Sequence, residues 1–364
     1  MRHDDILART DWSAVEHACA GSAGVRETPA ILEALLSDDA AAQAEALGDL
    51  YNVVHHQDTI YSATPPAVRF VAAVLDDPRT LTPVPGSSER SGEQEPLRAG
   101  LLDWLTSVME AAAESDRWGP SGESVDVDSC RAARGQVYRA AYAKLADSDP
   151  TVVSAALGTI ACVLEAPELQ HLRPGIAAWL NSHALSAPDR RIRVMAVLTL
   201  SSWGHDNTPV LRDDPDLVVR ATAALSPAQA ADPAATKALL EVLASPTDAA
   251  WCQQAFPHFG RIFPFKLLPA VIDRVPLDGL IPALEMILAA PPDGTYAGDW
   301  GTRLRAKAFP GGTPPTEAMS DAQRALLDVL AKHCFGAAAP PVSFACDPRT
   351  AFSDLMPQGR AGAR

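Results

Sequence analysis

A chain of 364 residues with 47% hydrophobic and 21% charged side chains is long enough to bury a large core, and its net charge of −15 works against any partner bound through phosphate groups. It holds no apolar run of about 18 residues that would cross a bilayer. Its opening Met1-Arg2-His3-Asp4-Asp5 lacks the apolar stretch of a secretory leader, so a cytoplasmic protein is expected.

The charge is uneven. Residues 1–128 carry 23 Asp and Glu against 8 Lys and Arg, a net of −15, whereas residues 129–364 balance at 22 of each. Such a surface attracts a basic partner as well as keeping the chain soluble. Cys19, Cys130, Cys162, Cys252, Cys334 and Cys346 are scattered, with no C-x-x-C pair, and read as reduced and packed.

In chain order, residues 11–20 suggest a short capping helix. Thr28-Pro29 opens the next, with threonine as cap, proline at the first helical position, and Ile31, Leu32, Leu35 and Leu36 inward. Asp38-Asp39 opens a helix to about Val54, and Thr64-Pro65-Pro66 opens another. Between them lies the polar loop His55-His56-Gln57-Asp58. Two histidines and an aspartate are metal-ligand or acid–base types. Adjacent histidines do not readily share one metal, and a structural connector is the stronger expectation. Residues 82–95 read as a flexible insertion without apolar anchors, and Leu97–Glu114 as a helix with Trp104 and Met109 inward. An irregular connector at 115–129 precedes a helix to about Leu145.

From Asp147 the pattern is more regular. Val152, Val153, Ala156, Leu157, Ile160, Val163 and Leu164 form one broad face of a 3.6-residue period. The relation of an apolar residue to an alanine four positions on recurs in Val152 and Ala156, Ile192 and Ala196, and Val219 and Ala223. Further helices are expected near 234–244, 248–255, 264–274 and 277–290, then a basic one with Arg303, Arg305 and Lys307, and one at 321–334. A partly ordered tail runs from Gly336.

An acidic residue, an apolar–Arg pair and an alanine resemble the HEAT repeats of bacterial α-solenoid proteins. Asp189, Ile192, Arg193 and Ala196 carry the likeness, as do Asp216, Val219, Arg220 and Ala223. The resemblance implies an all-α, right-handed α-solenoid of antiparallel helix pairs, a single body over residues 1–335. It also implies Asp and Arg side chains that link successive repeats. Val153 and Gln43 stand where arginine would be, which should break that ladder.

No G-x-S-x-G, H-E-x-x-H, Walker loop or G-x-G-x-x-G occurs, and no cofactor or metal is expected. Two clusters could line a groove: Trp203 with His205 and Asp206, and Trp251 with His258 and Arg261. Rings beside His, Asp and Arg suit a ligand pocket; the plainer reading makes the rings core and His205-Asp206 a helix cap. His55, His56 and Asp58 are secondary candidates. The leading functional expectation is a protein-binding scaffold or adaptor with a basic protein partner, in a toxin-neutralising or enzyme-partner role. The alternatives are a small-molecule enzyme of a specialised biosynthetic pathway, using His205, Asp206 and Arg261, and a HEAT-like DNA glycosylase for alkylated bases. The acidic balance disfavours nucleic acid.

Overall fold

The computed structural model describes residues 2–22, 24–85, 94–114, 125–245, 247–248, 251, 263–289, 300–335 and 348–355. Among these it is mostly helical, with one two-stranded antiparallel sheet. The chain divides into two compact units, residues 1–199 and 200–364.

In the first unit the helices are α1 (His3–Arg9), α2 (Thr28–Ala34), α3 (Ala40–Asp49), α4 (Thr64–Val74), α5 (Leu97–Glu114), α6 (Val125–Ala132), α7 (Arg134–Tyr142), α8 (Pro150–Val163), α9 (Arg173–Trp179) and α10 (Arg190–Ser202), which crosses the division. One device starts several of them. Asp39 and Asp149 sit in extended backbone and accept the N–H two residues on, at 2.9 and 2.8 Å. Such a cap contributes about 1 kcal/mol by satisfying an otherwise unbonded helical donor. Each cap is itself held from two residues upstream, by Ser37 Oγ and Asp147 Oδ1.

The seven apolar residues expected on one face of α8 are all buried, and so are Trp104 and Met109 of α5. α5 is the central helix, packed along α8 and against α3, α4 and α6. Its approach to α3 needs a glycine: a Cβ on Gly100 would stand 2.6 Å from Leu47 Cδ2. Thr106 and Thr159 place their hydroxyls 3.0 Å apart between α5 and α8.

Several expectations are corrected here. The first helix is α1, while residues 11–20 form only a single turn, Trp12–Ala14, capped by Asp11. α2 starts one residue earlier than expected, with Glu27 as cap and Thr28 buried in its first turn. Residues 83–85 and 94–96 pair as strands β1 and β2, and Val84 is buried, so the insertion does have an apolar anchor; 86–93 lie outside the described residues. The second connector gives way to α6 at Val125, with 115–124 also undescribed. Gln43 has polar ties of its own. Its side-chain amide donates to the Leu35 and Arg79 carbonyls at 3.0 Å each, Arg79 Nη1 donates back to the Leu36 carbonyl at 2.9 Å, and Arg98 extends the series to Thr80 and Asp147.

The second unit holds α11 (Thr208–Asp213), α12 (Leu217–Ala224), α13 (Pro233–Leu243), α14 (Phe263–Arg274), α15 (Leu277–Ala289), α16 (Trp300–Ala308), α17 (Asp321–Cys334) and α18 (Pro348–Phe352). Asp216 and Asp232 repeat the aspartate cap. Arg220 Nη1 donates to its own upstream carbonyl, Asp214 O, at 2.7 Å, and Arg193 in the first unit does the same to Ala187 O at 2.8 Å. The tail beyond Gly336 contributes to the core: Phe352 is buried, and Asp354 Oδ2 lies 2.7 Å from Arg305 Nη2.

Candidate functional site

The polar loop after α3 is where the structure gathers the most chemistry. α3 ends in a wider, π-type turn, Leu50–Val54, a distortion that exposes backbone carbonyls and recurs at functional sites. Trp104 Nε1 of α5 donates to the Leu50 carbonyl at 3.0 Å, tying this turn to the central helix. The chain then passes through two successive left-handed residues, Gln57 (φ 51°) and Asp58 (φ 59°). Left-handed backbone costs a non-glycine residue on the order of 1 kcal/mol, so the surroundings must hold the loop in place.

They do so through His55, whose ring is fully enclosed. Its Nδ1 lies 3.1 Å from the Thr59 carbonyl and therefore donates, which leaves Nε2 as the acceptor for the Ser107 hydroxyl at 3.2 Å. Asp58 Oδ1 stands 3.4 Å from Ser107 Oγ and 3.8 Å from His55 Nε2. The single Ser107 proton thus has two acceptors in reach. Burial lowers the His55 pKa, outweighing the Thr59 hydrogen bond and the Asp58 charge that raise it. Of the three secondary candidates, His55 and Asp58 meet through Ser107; His56 is half-buried and takes no part in that set.

One turn back along both elements lie Tyr51 and Asp103, the chain neighbours of the bonded Leu50 and Trp104. Both are half-buried. Desolvation is nevertheless the largest influence on each and pushes each pKa well up; the Asp103 and Asp58 charges add to it at Tyr51, and Glu95 and Glu110 add to it at Asp103. Burial thus disfavours the charged form of both Asp103 and His55. Sequence reasoning passed over Tyr51, Asp103 and Ser107. One signal was available: Asp103 is a lone acid in the apolar run Leu101-Leu102-Asp103-Trp104-Leu105, four residues before Ser107.

The first of the two expected groove clusters forms a helix start. Gly204 (φ 79°) turns the chain out of α10, and the His205 N–H donates to the Leu200 carbonyl at 2.9 Å. Asp206 Oδ1 accepts from the Thr208 N–H at 2.9 Å and its hydroxyl at 2.6 Å, which lowers the Asp206 pKa. His205 and Asp206 are exposed and Trp203 half-buried. Trp251 is also half-buried, while His258 and Arg261 lie outside the described residues.

Among the described residues no three His, Cys, Asp or Glu side chains gather as a metal-binding group, and no helix is long and apolar enough to cross a membrane. Cys19, Cys130, Cys162 and Cys334 are free thiols; burial pushes Cys130 up to about 12 and Cys162 upward as well, which makes both poor nucleophiles. Comparison with protein-family models and with curated proteins gives no match.

Proposed function

We propose that the chain is a protein-binding scaffold, a right-handed α-solenoid of HEAT-like helix pairs whose N-terminal third docks a basic protein. The observation that carries this reading is the charge distribution: residues 1–128 hold the whole net −15 of the chain. Glu16, Glu33, Asp38, Asp58 and Asp76 of that third are exposed. The recurring aspartate caps at Asp39, Asp149, Asp216 and Asp232 support a repeat architecture, whose stacked faces suit extended docking. Asp206 is engaged at the start of α11, which gives the two enzyme readings little support from their first cluster.

The test is to recover a partner by affinity capture and measure its association rate over a range of salt concentrations. Steering by exposed charge weakens as the Debye length shrinks below about 8 Å. A Glu16→Lys, Glu33→Lys, Asp38→Lys variant should associate several-fold more slowly than wild type at low salt and converge with it at high salt. Asp39 is left in place because it caps α3. Equal rates at low salt would reject the reading.

A further inference from the structure

The second unit contains a segment seated as a ligand would be. α18 (Pro348–Phe352) follows α17 in the chain, yet it packs chiefly on α16 (Trp300–Ala308). Five residues are too few for a helix that is stable on its own in water, so this one is ordered by its seat. The seat has its own support. α16 packs on α14, where Arg303 Nη1 lies 3.5 Å from Asp273 Oδ2, and its Trp300, Leu304 and Ala308, four apart, are buried.

Three features define what the seat takes. Phe352 is fully buried. Arg305 makes a two-pronged pair with Asp354, Nη1 to Oδ1 at 2.5 Å and Nη2 to Oδ2 at 2.7 Å. Its Nη1 also donates to the Ala351 carbonyl. One guanidinium thus reads a main-chain carbonyl and a carboxylate three residues later, with an aromatic residue between them. The hydrogen bonds of the pair raise the Arg305 pKa and lower that of Asp354, so both stay charged at neutral pH. The pair is also open to solvent, with 31% of the Arg305 side chain and 58% of the Asp354 side chain exposed. An ion pair in contact with water contributes little to stability, so another carboxylate can take the place of Asp354.

We propose that this face of α16 is a peptide-recognition site for a partner segment that carries an aromatic residue and, two positions on, a carboxylate, and that the chain's own Pro348–Leu355 occupies it as a built-in competitor. An aromatic anchor supplies most of the affinity when a short helix docks on a helical surface. A bidentate arginine adds geometric selection for a carboxylate. The resident segment meets both requirements, and the ligand chemistry is read from it. Because that segment is tethered, it excludes weak ligands, and a partner enters only by outcompeting it. This partner is opposite in charge to the one assigned to residues 1–128, so the inference stands apart from that docking reading.

The experiment is fluorescence anisotropy of a labelled peptide of residues 348–355, titrated with the full chain. The double variant Phe352→Ala, Asp354→Asn should bind it about ten-fold more tightly than wild type, whose own segment fills the site. On that variant, a peptide carrying Phe352→Ala should lose about ten-fold in affinity and one carrying Asp354→Asn about three-fold. Adding Arg305→Glu to the double variant should reverse the preference, so that a peptide carrying Asp354→Arg binds better than the natural one. Circular dichroism melts establish that each chain is folded. If loss of Phe352 unfolds the unit, Asp354→Asn alone keeps the test decisive and should bind the peptide about three-fold more tightly than wild type. A folded double variant that binds no peptide, or binds the Phe352→Ala peptide equally well, overturns the inference. Unfolding of both variants makes the segment a structural part of the unit and overturns it too. Concentration-dependent wild-type dimers that vanish in the double variant, seen by light scattering, assign the site to a second copy's segment and likewise overturn it.

Discussion

Arg98 and Asp147, 49 positions apart, meet inside the first unit with Nη1 and Oδ2 at 2.8 Å and less than a tenth of either side chain exposed. Arg98 Nε also donates to Thr80 Oγ1 at 3.0 Å, and Asp147 Oδ1 accepts the N–H of Asp149, the cap of α8. One enclosed ion pair therefore links the turn after α4 to the start of α8. Removing one partner leaves the other charge buried without its match. Asp147→Ala should destabilise the protein by about 3 kcal/mol, while the double variant Arg98→Met, Asp147→Leu should cost clearly less. Urea denaturation of the three proteins measures both, and a double variant worse than the single would show that the pair is worth more than its desolvation.

Helices whose apolar residues fall on one face were legible in the sequence. α8, α5 and α17 appear at their expected positions because burial of a regular stripe decides them. Two other features were hidden. The wide turn is held to α5 by the Trp104–Leu50 bond, and nothing local in Leu50–Val54 signals that turn. The ties of Gln43 to the Arg79 carbonyl and of Arg98 to Asp147 span 36 and 49 residues. Long-range polar ties follow from tertiary placement, which periodicity does not encode.

Protonation of His55 should carry a measurable stability cost. Its folded pKa is depressed below the ordinary value of 6.5, chiefly by burial. The unfolded chain therefore takes up a proton at a pH where the folded chain does not, and stability falls as pH drops from about 6.5 to the folded value. Above about 6.5 both states are neutral and the contribution is flat. His55→Asn should lose this slope while other acid-sensitive groups keep theirs. Melting temperatures from pH 8 to pH 5 check it; parallel curves for the two proteins would mean that His55 is open to protonation in the native fold.

Asp103 predicts the opposite sign. Its folded pKa lies well above 3.8, because burial and the Glu95 and Glu110 charges disfavour the anion. Between the unfolded and folded values the native state holds the extra proton, so this group's contribution to stability is full below the unfolded value and is lost as pH rises through the folded one. Asp103→Asn, which cannot ionise, should therefore gain stability relative to wild type as pH rises from the unfolded towards the folded value, by a constant amount above it, with the difference shrinking in acid. A variant that melts lower than wild type throughout would place the carboxyl in a stabilising contact.

The repeated alanines set the closeness of the helices. Ala156, Ala196 and Ala223 are all fully buried, each four positions after an apolar residue and seven after an aspartate at the start of its helix. Ala196 has no exposed surface, so a larger side chain there has to displace what packs on it, and α10 lies close to α8, with Met195 Cε 3.5 Å from where a Cβ on Gly158 would stand. Ala196→Leu should therefore cost about 1–3 kcal/mol through overpacking. Leucine and alanine differ little in helix propensity, so Ala178→Leu, on an exposed position of α9, should stay within about 0.5 kcal/mol of wild type and isolates the packing effect. Chemical denaturation of both variants supplies the comparison. Equal, small losses would mean that α10 has room at Ala196 and that the alanine recurrence records composition and not contact.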